Sequence, residues 1–100
     1  MTLREAILTA PSVDREAVIY ADVGIDFWEP NTPCRLMMEE EDDLIIERDG
    51  QQLYYFLEIS TLLEVIEGWR EIGRRSEVTE DEDVRVVIHY AKHDCWPPPE

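Results

Sequence analysis

His89 and His93 are the residues whose types and spacing come nearest to chemistry. Four positions apart on a helix, they share a face, the spacing that lets two imidazoles reach one metal ion. On a strand they would still share a face, further apart. The segment His89-Tyr90-Ala91-Lys92-His93 lacks the glutamate of H-E-x-x-H, so the base of a zinc hydrolase is missing. A bare pair beside Arg85 and Lys92 is more often a solvated pair than a metal site. The acidic runs Glu39, Glu40, Glu41, Asp42, Asp43 and Glu80, Asp81, Glu82, Asp83 could hold calcium weakly, but neither has the EF-hand spacing with its central glycine. No carboxylate is marked as a general acid or base. Gly24, Gly50, Gly68 and Gly73 are too scattered for a phosphate loop. Cys34 and Cys95 form no C-x-x-C and read as free thiols of a reducing compartment. The expectation is no catalytic residue, no cofactor and no resident metal, with a metal-binding enzyme or sensor using His89 and His93 as the alternative.

Charge is more informative. Twenty-four acidic residues face nine basic ones, for a net charge of −15. Direct binding to nucleic acid is disfavoured, because phosphate contacts need clustered Lys and Arg. An anionic membrane is disfavoured for the same reason, and no apolar run reaches the about 18 residues of a membrane span. Arg4 and Glu5 interrupt the apolar core that a signal peptide would need, so the expected compartment is the cytoplasm. A macromolecular partner would be a basic protein, such as a toxin or a nucleic-acid-binding protein. The competing reading gives the charge only a solubilising role. The expected function is thus a non-enzymatic interaction module, an immunity-type or DNA-mimic inhibitor of a basic partner. Glu39 to Asp43 and Glu80 to Asp83 would steer that partner, and Trp28 would serve as an anchor. Charge would set on-rate and specificity, and a few buried contacts the affinity.

The elements that must position these residues follow from pattern. One hundred residues make a single domain, with a tail at 97–100 expected to fray. Thr2 and Glu5 fit a capping box for a short helix, Leu3 to Thr9, stopped by Pro11. Ala17 to Val23 and Cys34 to Met38 read as strands. Between them Gly24 to Pro33 reads as an irregular loop, in which Phe27 and Trp28 either fold back over the core edge or present an anchor. Asp49-Gly50 between apolar runs signals a hairpin pairing Ile46 with Leu53 and Leu44 with Tyr55. A short helix from Glu40 to Asp49 competes with it. Leu53 to Arg75 carries a strand into the main helix, capped by Ser60 or, with Glu64, by Thr61. Arg74 and Arg75 suit the negative end of its dipole. Gly68 inside it costs about 1 kcal/mol relative to alanine, which suggests close approach of a neighbouring element. Val84 to Ala91 fits either period. The cap at Thr79 and the acids after it favour a helix. The fold class is α+β: a small antiparallel or mixed sheet of about three or four strands, with two or three helices packed on it.

With these segments placed, Trp28-Glu29-Pro30-Asn31-Thr32-Pro33-Cys34 looks like a W-x-P-x-T-P-C element. Gly50 followed by Leu53-Tyr54-Tyr55-Phe56-Leu57 and a capped helix looks like its usual continuation, and His89 to Asp94 like its helical ending. Over most of its length the chain resembles a family of small acidic bacterial domains of unknown function. The resemblance implies a cytoplasmic α+β protein and a helix at Val84 to His93, and it places a helix where Leu44-Ile45-Ile46 departs with β-branched residues. It carries over no catalytic or binding residue.

Overall fold

The computed structural model describes residues 1–38, 44–73 and 79–98. The acidic run Glu39 to Asp43, the pair Arg74 and Arg75, and the end of the proline tail lie outside the described residues.

Helix α1, Leu3–Thr9, starts on the predicted capping box: Glu5 N donates to Thr2 Oγ1 at 3.2 Å and Thr2 N to Glu5 Oε1 at 3.1 Å. Its face of Leu3, Ala6 and Ile7 is buried. A single 3-10 turn, Ala10–Ser12, follows. Strands β1 (Val18–Ala21), β2 (Cys34–Met37), β3 (Ile45–Arg48) and β4 (Gln51–Glu58) form one antiparallel sheet in the order β2-β1-β4-β3. β1 and β2 are slightly shorter than their sequence patterns suggest. Helices α2 (Ile59–Gly73) and α3 (Glu80–His93) complete an α+β fold.

The hairpin reading holds. Asp49 and Gly50 have φ of 55° and 79°, the two left-handed residues of a tight β3–β4 turn. Ile46 faces Leu53, and Tyr55 N donates to Leu44 O at 2.8 Å. The competing helix is excluded for Ile45–Arg48. The β-branched residues that depart from the resembled family are those that form the strand.

A register shift between Ile19 and Tyr20 bulges β4, so that Ile19 faces Leu57 while Tyr20 faces Tyr55. The bulge adds Phe56 and turns both Phe56 and Leu57 into the main core. That core lies between the sheet and the helices and holds Leu3, Ile7, Ile19, Leu62, Val65, Trp69 and Val87. On the other face of the sheet Val18, Tyr20, Ile46 and Leu53 make a smaller cluster.

Two details depart from the sequence reading. Helix α2 begins at Ile59, not at a Thr61 cap. Its first free N–H groups are taken by main chain: Ile59 N donates to Ala17 O at 2.9 Å and Ser60 N to Arg15 O at 3.3 Å. The loop 24–33 contains a 3-10 turn, Ile25–Phe27, between Gly24 and Trp28. Helix α3 settles the ambiguity of Val84 to His93. Thr79 Oγ1 accepts from Glu82 N, and Asp94 ends the helix at φ 58°. No helix among the described residues is long and apolar enough to cross a membrane.

Gly68 has the predicted close neighbour. A Cβ there would sit 2.6 Å from Trp96 Cζ2. The indole is held by Nε1 donating to Val65 O at 2.9 Å and by an edge contact with Tyr90 at 5.4 Å. Trp96 is therefore docked on α2, and Pro97, the first residue of the tail expected to fray, is buried. Gly68→Ala should destabilise the protein by about 1 kcal/mol: the helix gains about 1 kcal/mol of propensity, and undocking Trp96 forfeits about 2 kcal/mol of hydrogen bond and ring contact. In a Trp96→Ala background the sign should reverse, with Gly68→Ala stabilising by about 1 kcal/mol in urea unfolding.

Candidate functional site

The helices lie over β1, β2 and β4, and the β3 wing of the sheet extends beside them. There a groove of about 510 Å³ opens. Tyr54 and Phe56 of β4 line it, with the 3-10 turn on one side and Tyr90, Ala91 and Asp94 at the end of α3 on another. Four of the large apolar side chains around it are open to solvent: Phe27 is 69% exposed, Leu44 72%, Ile45 53% and Ile25 44%. Asp26 and Asp94 supply the carboxylates.

Local chemistry fixes the turn. Trp28 is 5% exposed, packs edge-on against Phe56 at 4.9 Å, and donates from Nε1 to Val23 O at 2.9 Å. Thr32, also buried, donates to Phe27 O at 3.0 Å and accepts from Glu29 N at 2.8 Å. With Trp28 pinned inward and the carbonyl of Phe27 held, the Phe27 ring is left outside. The predicted anchor Trp28 is thus a core residue: its ring packs on Phe56 and its N–H is satisfied inside by Val23 O. Phe27 is the aromatic that a partner can reach, and sequence reasoning gave both residues a single fate.

Of the predicted steering residues, Glu39 to Asp43 lie outside the described residues. The run Glu80 to Asp83 is largely engaged within the fold. Arg4 pairs with Asp81 and lies 3.9 Å from Glu80. Trp69 Nε1 donates to Glu82 at 3.3 Å, and Arg70 bonds Asp83 at 2.9 Å. These contacts tie α3 to α1 and α2. Asp83 is buried and unavailable to a partner, whereas Glu80 and Asp81 stay exposed. A second groove of about 730 Å³ runs between α1 and α2, lined by Ile7, Leu8, Leu63 and Ile66 and by Arg70, Glu80 and Asp83. Arg70, Glu80 and Asp83 on its wall already pair, and its large apolar side chains are less exposed than Phe27 and Leu44, so the smaller groove is the better candidate.

His89 and His93 do share a face, with ring centroids 4.6 Å apart. His89 Nδ1 lies 3.1 Å from Cys95 O, a contact in which the ring must donate. Among the described residues no third His, Cys, Asp or Glu joins them in a group able to hold a metal. Both cysteines are free. Burial pushes the Cys34 thiol up to about 11, so it stays protonated near neutrality and is no nucleophile.

The comparisons with known proteins give no match: no family model, no curated protein and no solved structure aligns with this chain. The candidate site therefore stands on its geometry.

Two expectations follow. Trp28→Ala should cost about 3–5 kcal/mol in urea unfolding as a core deletion, whereas Phe27→Ala should change stability by less than about 0.5 kcal/mol. Equal costs would refute the division of labour between them. The second concerns Asp83. Burial raises its pKa, Arg70 opposes, and Glu82 and Glu80 add to the rise. Oδ1 has no hydrogen-bond partner among the described residues. The folded state thus holds the proton more tightly than the unfolded chain does. The resulting stability is complete below the usual carboxylate range and is lost as pH rises through the raised value. Asp83→Asn should be more stable than the parent at neutral pH, with the difference closing in acid. A difference that stays constant with pH would count against this.

Proposed function

We propose that this chain is a non-enzymatic protein-binding module whose partner is a basic protein. The observation that carries the reading is an open apolar groove, with Phe27 and Leu44 at its mouth, on a chain of net charge −15. Exposed apolar side chains gathered around a groove are characteristic of interaction surfaces. The charge selects a cationic partner and speeds its approach, and the groove supplies the desolvated contact on which affinity depends. Two forms of this role are an immunity-type block of a toxin and mimicry of nucleic acid. The groove favours the first, because a mimic makes its contacts through carboxylates and has no use for Phe27.

The test is retention of partners from an extract of the source cell on the immobilised protein. A basic protein should be held at low salt and released as salt rises. A Phe27→Ala bait should hold it about tenfold more weakly, as expected for an aromatic anchor. Finding no basic protein at low salt, or retention indifferent to both salt and Phe27, would overturn the proposal.

A further inference from the structure

The strand that borders the groove, β3, is also an edge of the sheet, and its register shows which of its groups are free. Arg48 faces Gln51 across a two-residue turn, so Arg48, Ile46 and Leu44 direct their main-chain groups toward β4. The hydrogen bond from Tyr55 N to Leu44 O fits that phase. Ile45 and Glu47 therefore point their N–H and C=O groups away from the sheet. Among the described residues neither N–H has a main-chain partner, and only Glu47 O is met, by its neighbour Arg48 Nη1 at 3.2 Å. β3 is short and carries Glu47 and Arg48, but it has no proline and no bulge to block pairing along this edge. The Ile45 side chain meanwhile stands at the groove beside Tyr54.

From this juxtaposition we infer that the partner engages by strand addition: an extended segment pairs with the free edge of β3 at Ile45 and Glu47. It sends an apolar side chain into the groove and places Lys or Arg against Asp26, Asp94 and Glu47. The inference rests on the protein-binding reading above and specifies its mode. Side chains alternate along an added strand, so every second residue faces the groove while main-chain bonds hold the register. Charge decides the occupant. Two copies of a chain of net −15 repel each other as wholes, whereas a cationic strand is attracted.

The probe is a synthetic peptide in which lysine alternates with valine around one phenylalanine, compared with its glutamate-for-lysine counterpart. Fluorescence anisotropy should show binding of the lysine peptide only, and amide exchange at Ile45 and Glu47 should slow when it binds. Glu47→Pro removes an outward N–H that no ladder bond uses, so the fold should survive while peptide affinity falls about tenfold. If that variant misfolds, the exchange measurement on the unaltered protein decides alone. Each of these results would overturn the inference: no binding of the lysine peptide, binding without slowed exchange at Ile45 and Glu47, or protection at those amides that grows with protein concentration in the absence of peptide. The last would assign the edge to a second copy. A Glu47→Pro bait that still retains the basic protein from extract would sink strand addition and leave the protein-binding reading intact. An unaltered bait that retains none would sink that reading itself.

Discussion

The architecture depends on main-chain carbonyls from neighbouring segments closing the N-termini of two helices. Leu3 N donates to Thr32 O and Arg4 N to Pro30 O, both at 2.9 Å, so the loop after β1 completes the first turn of α1. The 15–17 segment does the same for α2. A helix N-terminus left without partners would be costly beside the core, and each of these bonds also joins two elements that must stay together. Cys34 N donating to Met1 O at 2.8 Å and Asp22 N to Pro33 O at 3.0 Å continue the same seam. The element Trp28 to Cys34 is thus a structural clasp. Its tryptophan fills the core, its threonine fixes the turn, and its backbone holds α1 to the sheet.

That clasp shapes the candidate site. It holds one end of the 3-10 turn inside the protein, and the other side of the turn projects Phe27 and Ile25 outward. The bulge in β4 acts from the opposite wall. By turning Phe56 and Leu57 together into the core, it places Phe56 where Trp28 can meet it edge-on. The groove mouth is therefore set by two residues, Trp28 and Phe56, that are themselves almost wholly buried.

This explains what could be read from sequence. Elements whose signals are local were legible: the box at Thr2 and Glu5, the Asp49-Gly50 hairpin with Ile46 on Leu53, the cap at Thr79, and a close neighbour at Gly68. The start of α2 was misplaced because its cap is a contact with residues 15 and 17, distant in sequence, whereas Thr61 and Glu64 imitate a local one. Trp28 and Phe27 could not be separated, since nothing in adjacent aromatics says which finds a hydrogen-bond acceptor inside. The run Glu80 to Asp83 was taken as surface charge. Its internal use depends on Arg4, Trp69 and Arg70 arriving from other helices, which composition does not reveal. The groove was illegible for the same reason, since its walls come from four separate stretches of chain.

An open strand edge beside exposed apolar side chains would ordinarily invite pairing between copies, and proteins commonly blunt such edges. Here the strand is short, and the protection comes from the whole molecule. Among the described residues Arg4, Arg35, Arg70 and Arg85 are engaged with carboxylates of the same chain, so these cations do little to offset the acidic surface. What a second copy meets on approach is net repulsion, which acts before the apolar contact can form. A cationic strand meets the reverse. On the strand-addition proposal, the same charge that reads as mere solubility in the composition would act as a filter on what completes the sheet. That filter works only because the apolar contact is local and the repulsion is long-ranged: screened by salt, the edge would lose its protection and the partner its guidance together.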